Sequence, residues 1–450
     1  MLLVVEKPFF LREDEKPLFG MIYCPAGGAR GGVVICDSLF EEKFWCERVC
    51  ANLGRYLAER GVAVLSFDYY GYGNSGGDSE DVTVNGLIDD IDYACNYMSK
   101  LGVSSLSMVG IRWGGGLAVR VAEKRSDVEN VFLVEPVVDW KKELMNALRA
   151  NVAGQYAIFK KAVMTRDEII RRLKSGEDCT YDGYRMNNID GYIISRDFFE
   201  QSEQMNLVGQ EEQIDSSVVI YALPGKKEVS QSKYQQLYEC LVGKSRSCSV
   251  RTLQEVNPFW TNYRIFTSTA EELYRDIVSV ISEGMSNGGR DRVGHGSGAS
   301  RDIDDRSISG EANVELPTSV VNGGITEEIV VLGTHEGNRM YGILYWAEES
   351  GGGDVGVVFT HGGLIGMNGA FRFNTRAARR FARAGIVSLC FDPHGMGRAQ
   401  GTIDNVDQRI LFRKIQSGHQ RNIKKNGRTC KGVQRYQCKT CGRTFTETFG

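Results

Sequence analysis

Residues 105–116 read Ser-Leu-Ser-Met-Val-Gly-Ile-Arg-Trp-Gly-Gly-Gly. An apolar strand, a glycine turn and a helix opening at Trp113 form the arrangement that displays a nucleophile at the carboxyl edge of a sheet. Gly110 and Gly114 stand where the lack of a Cβ lets strand and helix approach each other. Between them, where a serine would attack, stands Arg112. Its guanidinium stays protonated and offers only donors, so it cannot attack a carbonyl. Two roles remain. At the opening of a helix it can clamp a carboxylate, a phosphate or an acidic sugar. It can also close an internal salt bridge, with Glu228 or Glu135 as the candidate partners.

Other residues could do chemistry nearby. Cys36 and Asp37 end a short apolar run, residues 32–36. A thiol there attacks only if its pKa is lowered, and otherwise serves as a small buried residue. Ser75 lies in the glycine-rich stretch Asp68-Tyr-Tyr-Gly71-Tyr-Gly73-Asn-Ser75-Gly76-Gly77, where a hydroxyl faces a ligand or caps a turn. Asp68 is placed to brace that loop. Glu41, Glu42 and Arg48, with Trp113 beside the arginine, are candidates for ligand binding; the acids and Arg48 also fit a solvated helix face.

The elements that must hold these residues follow from the pattern. Apolar, β-branched runs at 32–36, 62–67, 105–109, 131–135, 217–223 and 249–256 read as strands. Helical stretches at 45–60, 84–100, 234–241 and 270–282 alternate with them. This alternation predicts an α/β protein with a mostly parallel sheet covered on both faces. From about 140 to 208 the strand rhythm stops and polar helical stretches take over, as in a lid inserted over a site. The chain has 450 residues, a formal net charge of −3 and 42% hydrophobic residues. That implies two or three domains and no overall pull toward nucleic acid or membrane. No run of about 18 apolar residues occurs, so no membrane span is expected. Twelve cysteines without framework spacing read as reduced thiols, and so as a cytoplasmic protein.

Residues 1–283 resemble the α/β-hydrolase superfamily, near its serine aminopeptidase-like branch. More narrowly they resemble the hydrolases found with exosortase protein-sorting systems. Four features carry the narrower likeness: Phe40-Glu41-Glu42 with Arg48; the Phe67–Gly76 loop; the arginine-bearing elbow; and Asp182-Gly-Tyr…Gly191-Tyr192 in the lid. The resemblance implies a Ser-His-Asp mechanism, with the acid after the strand at 218–223 and the base after that at 249–256. Carried over, the nucleophile position is Arg112 and the acid position is Glu228, in Gly225-Lys-Lys-Glu228. The base position falls in Asn257-Pro258-Phe259-Trp260. The five histidines are His295, His335, His361, His394 and His419, so residues 1–294 hold none. The expected chemistry lacks its serine and its base.

Residues 284–324 are glycine- and serine-rich and read as a flexible linker. After it the first domain restarts at a constant offset. Gly32-Val-Val matches Gly356-Val-Val, Gly61 matches Gly385, Phe67-Asp68-x-x-Gly71-x-Gly73 matches Phe391-Asp392-x-x-Gly395-x-Gly397, and Gly77 matches Gly401. Such register predicts a second, truncated α/β-hydrolase module over 325–418. In it His361-Gly362-Gly363 resembles the oxyanion loop of esterases, or is a glycine turn with a capping histidine.

Residues 409–450 hold eleven Lys and Arg and one acid, Glu447. His419-Gln-Arg-Asn through Gln-Arg-Tyr436-Gln-Cys438-Lys-Thr-Cys441 resembles the N-terminal zinc ribbon of insertion-element transposases. That family has a second Cys-x-x-Cys knuckle, which would fall at Lys414 and Ser417 and is absent. Structural zinc needs four N or S ligands, so Cys438 and Cys441 make an incomplete metal site. A basic tail over 419–450 without structure, binding nucleic acid weakly through phosphates, is the expectation. No other cofactor is implied. The sequence thus predicts a hydrolase-fold pseudoenzyme that binds an acyl or acidic saccharide ligand or a partner protein. The alternatives are a hydrolase with an unconventional nucleophile and a DNA-binding transposase fragment.

Overall fold

The computed structural model describes residues 2–103, 105–209, 212–223, 229–261, 270–291, 316–333, 337–347, 355–360, 366–401, 423–428, 434–438 and 444–446. Two compact units result, Met1–Val320 with Ala370–Arg372, and Val321–Gly369 with Phe373–Gly450.

In the first unit the chain runs β1 (Val4–Arg12), β2 (Leu18–Pro25), β3 (Gly31–Cys36), α1 (Phe40–Ala58), β4 (Val62–Phe67), α2 (Val84–Lys100), β5 (Leu106–Ile111), α3 (Trp113–Ala122) and β6 (Val128–Val134). An insertion follows: α4 (Trp140–Phe159), α5 (Arg166–Ser175), the paired short strands β7 (Thr180–Tyr181) with β8 (Tyr184–Arg185) and β9 (Asn188–Ile189) with β10 (Tyr192–Ile193), and α6 (Arg196–Ser202). Then come β11 (Ile214–Ala222), α7 (Val229–Val242), β12 (Ser245–Thr252) and α8 (Glu271–Asp291). The sheet order is β1-β2-β4-β3-β5-β6-β11-β12. From β4 onward neighbours are parallel, and only the β1–β2 and β2–β4 pairs are antiparallel. This is the α/β-hydrolase fold. β3, β4 and β5 are buried at every position, as continuous apolar strands covered on both faces must be.

The pattern reading finds the central strands and misses the edge. β1 contains Pro8, which counts against a strand, yet β1 lies at the sheet margin where a missing amide donor is tolerated. Helix α1 opens at Phe40, five residues before the predicted start, with Glu41 and Glu42 in its first turn where the helix dipole favours acids. Helix α8 continues to Asp291, past Gly284 where the linker is expected to begin. Residues 292–315 of that linker, His295 among them, lie outside the described residues.

The second unit holds a five-stranded sheet of β13 (Ser319–Asn322), β14 (Ile325–Gly333), β15 (Arg339–Trp346), β16 (Gly356–Phe359) and β17 (Val387–Phe391), with α9 (Phe373–Arg383) before β17. Its order is β13-β14-β15-β17-β16. β14–β15 and β15–β17 are antiparallel and β16–β17 parallel. Its last four strands, β14-β15-β17-β16, repeat β1-β2-β4-β3, and the registers agree: Gly32 opposes Ala63 and Gly356 opposes Val387.

The loops after β4 and β17 repeat in detail. Asp68 Oδ2 accepts from Asn74 N at 2.8 Å, and Asp392 Oδ2 from Arg398 N at 2.9 Å. A Cβ at Gly73 would sit against the Asp68 carboxylate, and one at Gly397 against that of Asp392. Both glycines have positive φ, 50° and 47°. A bidentate ion pair ties helix to hairpin in each unit: Arg55 to Glu6 at 2.9 Å through both nitrogens, and Arg379 to Glu327 at 2.8 and 3.0 Å.

The basic C-terminal stretch departs from expectation. β18 (Ile423–Arg428), β19 (Gln434–Cys438) and β20 (Thr444–Thr446) form an antiparallel sheet where the sequence predicts a structureless tail. Cys438 ends β19, while Cys441 is outside the described residues. No group of three or more His, Cys, Asp or Glu is placed to hold a metal among the described residues. Two cysteines do not fit a four-ligand zinc site. No helix of the described residues is long and apolar enough to cross a membrane.

Candidate functional site

The elbow is built as the sequence predicts. Arg112 has φ 53° and ψ −112°, a strained backbone that non-glycine residues rarely adopt. The surrounding turn imposes it. Its amide donates to Val134 O at 2.9 Å, and its carbonyl accepts from Gly115 N and Val137 N at 3.1 Å each. The glycines are required by backbone contacts. A Cβ on Gly114 would lie 2.0 Å from Cys36 O, and one on Gly110 would lie 2.6 Å from Gly115 Cα.

The Arg112 guanidinium is turned to internal partners. Nη2 reaches Glu42 Oε1 at 3.0 Å, and Nε reaches the same carboxylate at 3.2 and 3.3 Å. Nη1 donates to the backbone carbonyl of Glu135 at 3.0 Å. The indole of Trp260 lies 5.1 Å away under the cation. Glu42 also accepts from the Ser38 hydroxyl at 2.7 Å. The salt bridge the sequence allows therefore forms, but with Glu42 rather than with either expected partner. The Glu135 side chain is engaged elsewhere, accepting from Leu223 N and Tyr234 Oη at 2.7 Å each. Glu228 lies outside the described residues. The loop that would carry the base instead brings Trp260 to the arginine, a pairing no single stretch of sequence announces.

The other candidates divide sharply. Cys36 is fully buried, and burial pushes its thiol well above the usual range, the opposite of what a nucleophile needs. Ser75 is fully buried too. Its hydroxyl donates to Asp68 O and accepts from Phe19 N at 2.9 Å, so it braces the loop and offers nothing to a ligand. Asp68 holds that loop and pairs with buried Lys43 at 2.7 Å, which also meets Asp37 at 3.3 Å. Arg48 acts near Tyr274 of α8. Trp113 is 3% exposed, packed edge-on against Phe40 at 5.4 Å and Trp140 at 4.9 Å, so it is a core residue. His361, Gly362 and Gly363 lie outside the described residues.

Glu41 and the lid supply a feature the sequence hides. Burial, with Asp190 nearby, pushes the Glu41 carboxyl up to about 7, and its Oε2 is buried without a hydrogen bond. Asp190 sits in the β9–β10 turn, and burial raises its carboxyl as well. Tyr192, from the same turn, stacks on Tyr72 at 5.5 Å and meets Phe40 at 6.2 Å. The lid motif and the glycine loop thus meet beside the start of α1. Only the recurrence of aspartate-glycine and tyrosine in the lid hints at this.

Residues 29–201 match the family of the serine aminopeptidase, S33. The match covers the elbow and most of the lid, and ends before β11. No curated protein matches the chain. Among solved structures, similarity is found to Est1E from Butyrivibrio proteoclasticus bound to ferulic acid, at 15% identity and TM-score 0.42, covering 62% of this chain and 98% of that one. Alpha/beta hydrolase domain-containing protein 10 from mouse is similar at 17% identity and TM-score 0.43, over 62% and 99%. The esterase Pf2001 of Pyrococcus furiosus is similar at 14% and 0.41, over 63% and 92%.

Proposed function

We propose that the first unit is a hydrolase-fold binding protein that has given up serine chemistry. The observation that carries this reading is Arg112 in the strained elbow position with its charge met by Glu42 and Trp260. A guanidinium that holds the nucleophile's place and is paired to a carboxylate neither attacks nor waits for an activating base. Of the ligand classes, an acyl or saccharide molecule held beside Glu41 fits the charge better than an anion. An anion must displace the Glu42 carboxylate and then face Glu143, whose Oε1 is 4.0 Å from Arg112 Nη2.

The test is twofold. A fluorophosphonate probe is applied to the full chain, and a panel of acyl esters is assayed with and without thiol alkylation. No serine of the first unit labels, and ester turnover stays at background in both arms. Labelling, or ester turnover above background, returns the unit to the active hydrolases.

For the rest of the chain we infer that an insertion element interrupted a gene for tandem hydrolases with exosortase-type likeness, and that translation read on into the start of a transposase. Supporting this are the offset shared by the two loop geometries and the charge change after residue 408. Sequencing the DNA downstream of the last codon tests it: remaining transposase sequence is expected, and uninterrupted hydrolase sequence would overturn it.

A further inference from the structure

The first unit contains a cavity of about 300 Å³ whose lining holds no residue of the elbow. Arg12 and Lys16, from the end and turn of the β1–β2 hairpin, line one part of it. Asp90 of α2, with Tyr70 and Tyr93, lines another, and Asp81, Asp89 and Asp92 add three more carboxylates, of which Asp92 is paired with Arg125 at 2.8 Å. Val82 and Leu87, 4% and 2% exposed, add an apolar wall. A volume at the low end for ligand pockets suits a small molecule.

Asp90 is the informative group. It is 3% exposed, yet only its Oδ2 is hydrogen-bonded, accepting from Tyr70 N at 2.9 Å. Among the described residues nothing donates to Oδ1. That oxygen is not sealed off from solvent, so a ligand in the cavity can reach it. Lys16 and Arg12 lie close enough to pull its pKa down, but neither forms a salt bridge with it, and burial still pushes the carboxyl up to about 7. The Lys16 ammonium instead sits 5.6 Å from the Tyr70 ring centre, and the Arg12 guanidinium 5.4 Å from that of Tyr93, with Arg12 Nε held by Asp14 at 2.8 Å. The cavity therefore has an unmet acceptor, cations with donors to spare, and an apolar wall.

We propose that this cavity binds a small zwitterion of the α-amino-acid class, with its ammonium on Asp90 Oδ1, its carboxylate toward Lys16 and Arg12, and an aliphatic side chain against Val82 and Leu87. A simple anion meets a lining with more acids than cations, and a simple cation leaves Lys16 unengaged; a dipolar ligand can place its ammonium on Asp90 and its carboxylate on Lys16. The site is separate from the elbow and does not depend on the fate of the Ser-His chemistry.

Calorimetric titration of the full chain at pH 8 tests the assignment with three probes: L-leucine, N-acetyl-L-leucine, and 3-methylbutylamine, which keeps its positive charge at this pH and lacks the carboxylate. L-leucine binds, and each analogue, lacking one charge, binds roughly tenfold weaker or more, as loss of one charged hydrogen bond demands. Asp90→Asn and Lys16→Met each weaken L-leucine by roughly tenfold. Lys16 is exposed, so its variant decides the matter if Asp90→Asn folds poorly. No binding of L-leucine up to about 10 mM, where any Kd tighter than millimolar would register, overturns the proposal. So does equal binding of the three probes, or L-leucine binding unchanged in Lys16→Met.

Discussion

β3 and β16 occupy the same place in two sheets and meet opposite fates. β3 lies between β4 and β5 and is buried throughout; β16 has β17 on one side and, among the described strands, no neighbour on the other. Val34 is fully buried, whereas Val358, the matching residue, is 45% exposed. The local design is the same in both: same order, same register, same aspartate-braced glycine loop, same bidentate arginine. The difference teaches that these local devices set the geometry of a half sheet but do not bury it. Burial comes from the strands that follow, and in the first unit those begin with the elbow strand β5.

The largest expected effect uses this matched pair. Val34→Asp places a charge in the first unit's core and should cost more than about 5 kcal/mol, preventing folding of that unit. Val358→Asp should change stability by less than about 0.5 kcal/mol. Chemical denaturation followed by circular dichroism reads both. Similar losses at the two sites would mean that β16 is covered after all.

Limited proteolysis gives the next contrast. With α8 helical to Asp291, the first cuts should fall beyond that residue, leaving a fragment near 1–291 that outlasts everything C-terminal to it. A resistant fragment covering 325–450, further protected by added zinc, would show that the half sheet and the β18–β20 sheet make one stable body.

At the elbow, Arg112→Ala leaves Glu42 without its main partner and should cost about 3 kcal/mol, as expected for breaking a partly buried pair. A loss under about 0.5 kcal/mol would restore the anion-clamp reading. Glu42→Gln sharpens the same point, because it frees Arg112: if the guanidinium is a clamp in waiting, anionic ligands bind this variant more tightly than the parent.

The smallest effect is a pH slope. Glu41 and Asp90 titrate near 7 when folded, against 4.5 and 3.8 as their ordinary values. Between these limits the folded state holds more protons than the unfolded one, so their contribution to stability falls as pH rises from about 4 to about 7. Glu41→Gln and Asp90→Asn should each gain on the parent as pH goes from 5 to 8, seen as a widening difference in urea midpoints. A difference constant with pH would mean that neither carboxyl is perturbed.

Much of this was open to reading from the chain, because apolar runs, glycine turns and an exact offset are local patterns. Residues 32–36, 62–67 and 105–109 announce buried strands by composition alone. Pro8 conceals β1, since a proline argues against a strand until its edge position is known. The elbow was legible as a shape. Its wiring was not: Glu42 lies 70 residues from Arg112 in sequence and Trp260 is more distant still. The candidates nearest in order, Glu135 and Ser75, turned out to serve the backbone. The perturbed carboxyls Glu41 and Asp90 were hidden for the same reason, because their burial is created by the lid and by the β1–β2 hairpin.

The contacts at Gly114 carry one more consequence. That residue is held to glycine by Cys36 O and Asp37 O, atoms of a neighbouring main chain that take no part in bond making or breaking. Packing alone is enough to fix the turn, whichever residue stands at its apex. A search keyed to the two glycines therefore reports an architecture and is blind to the reaction.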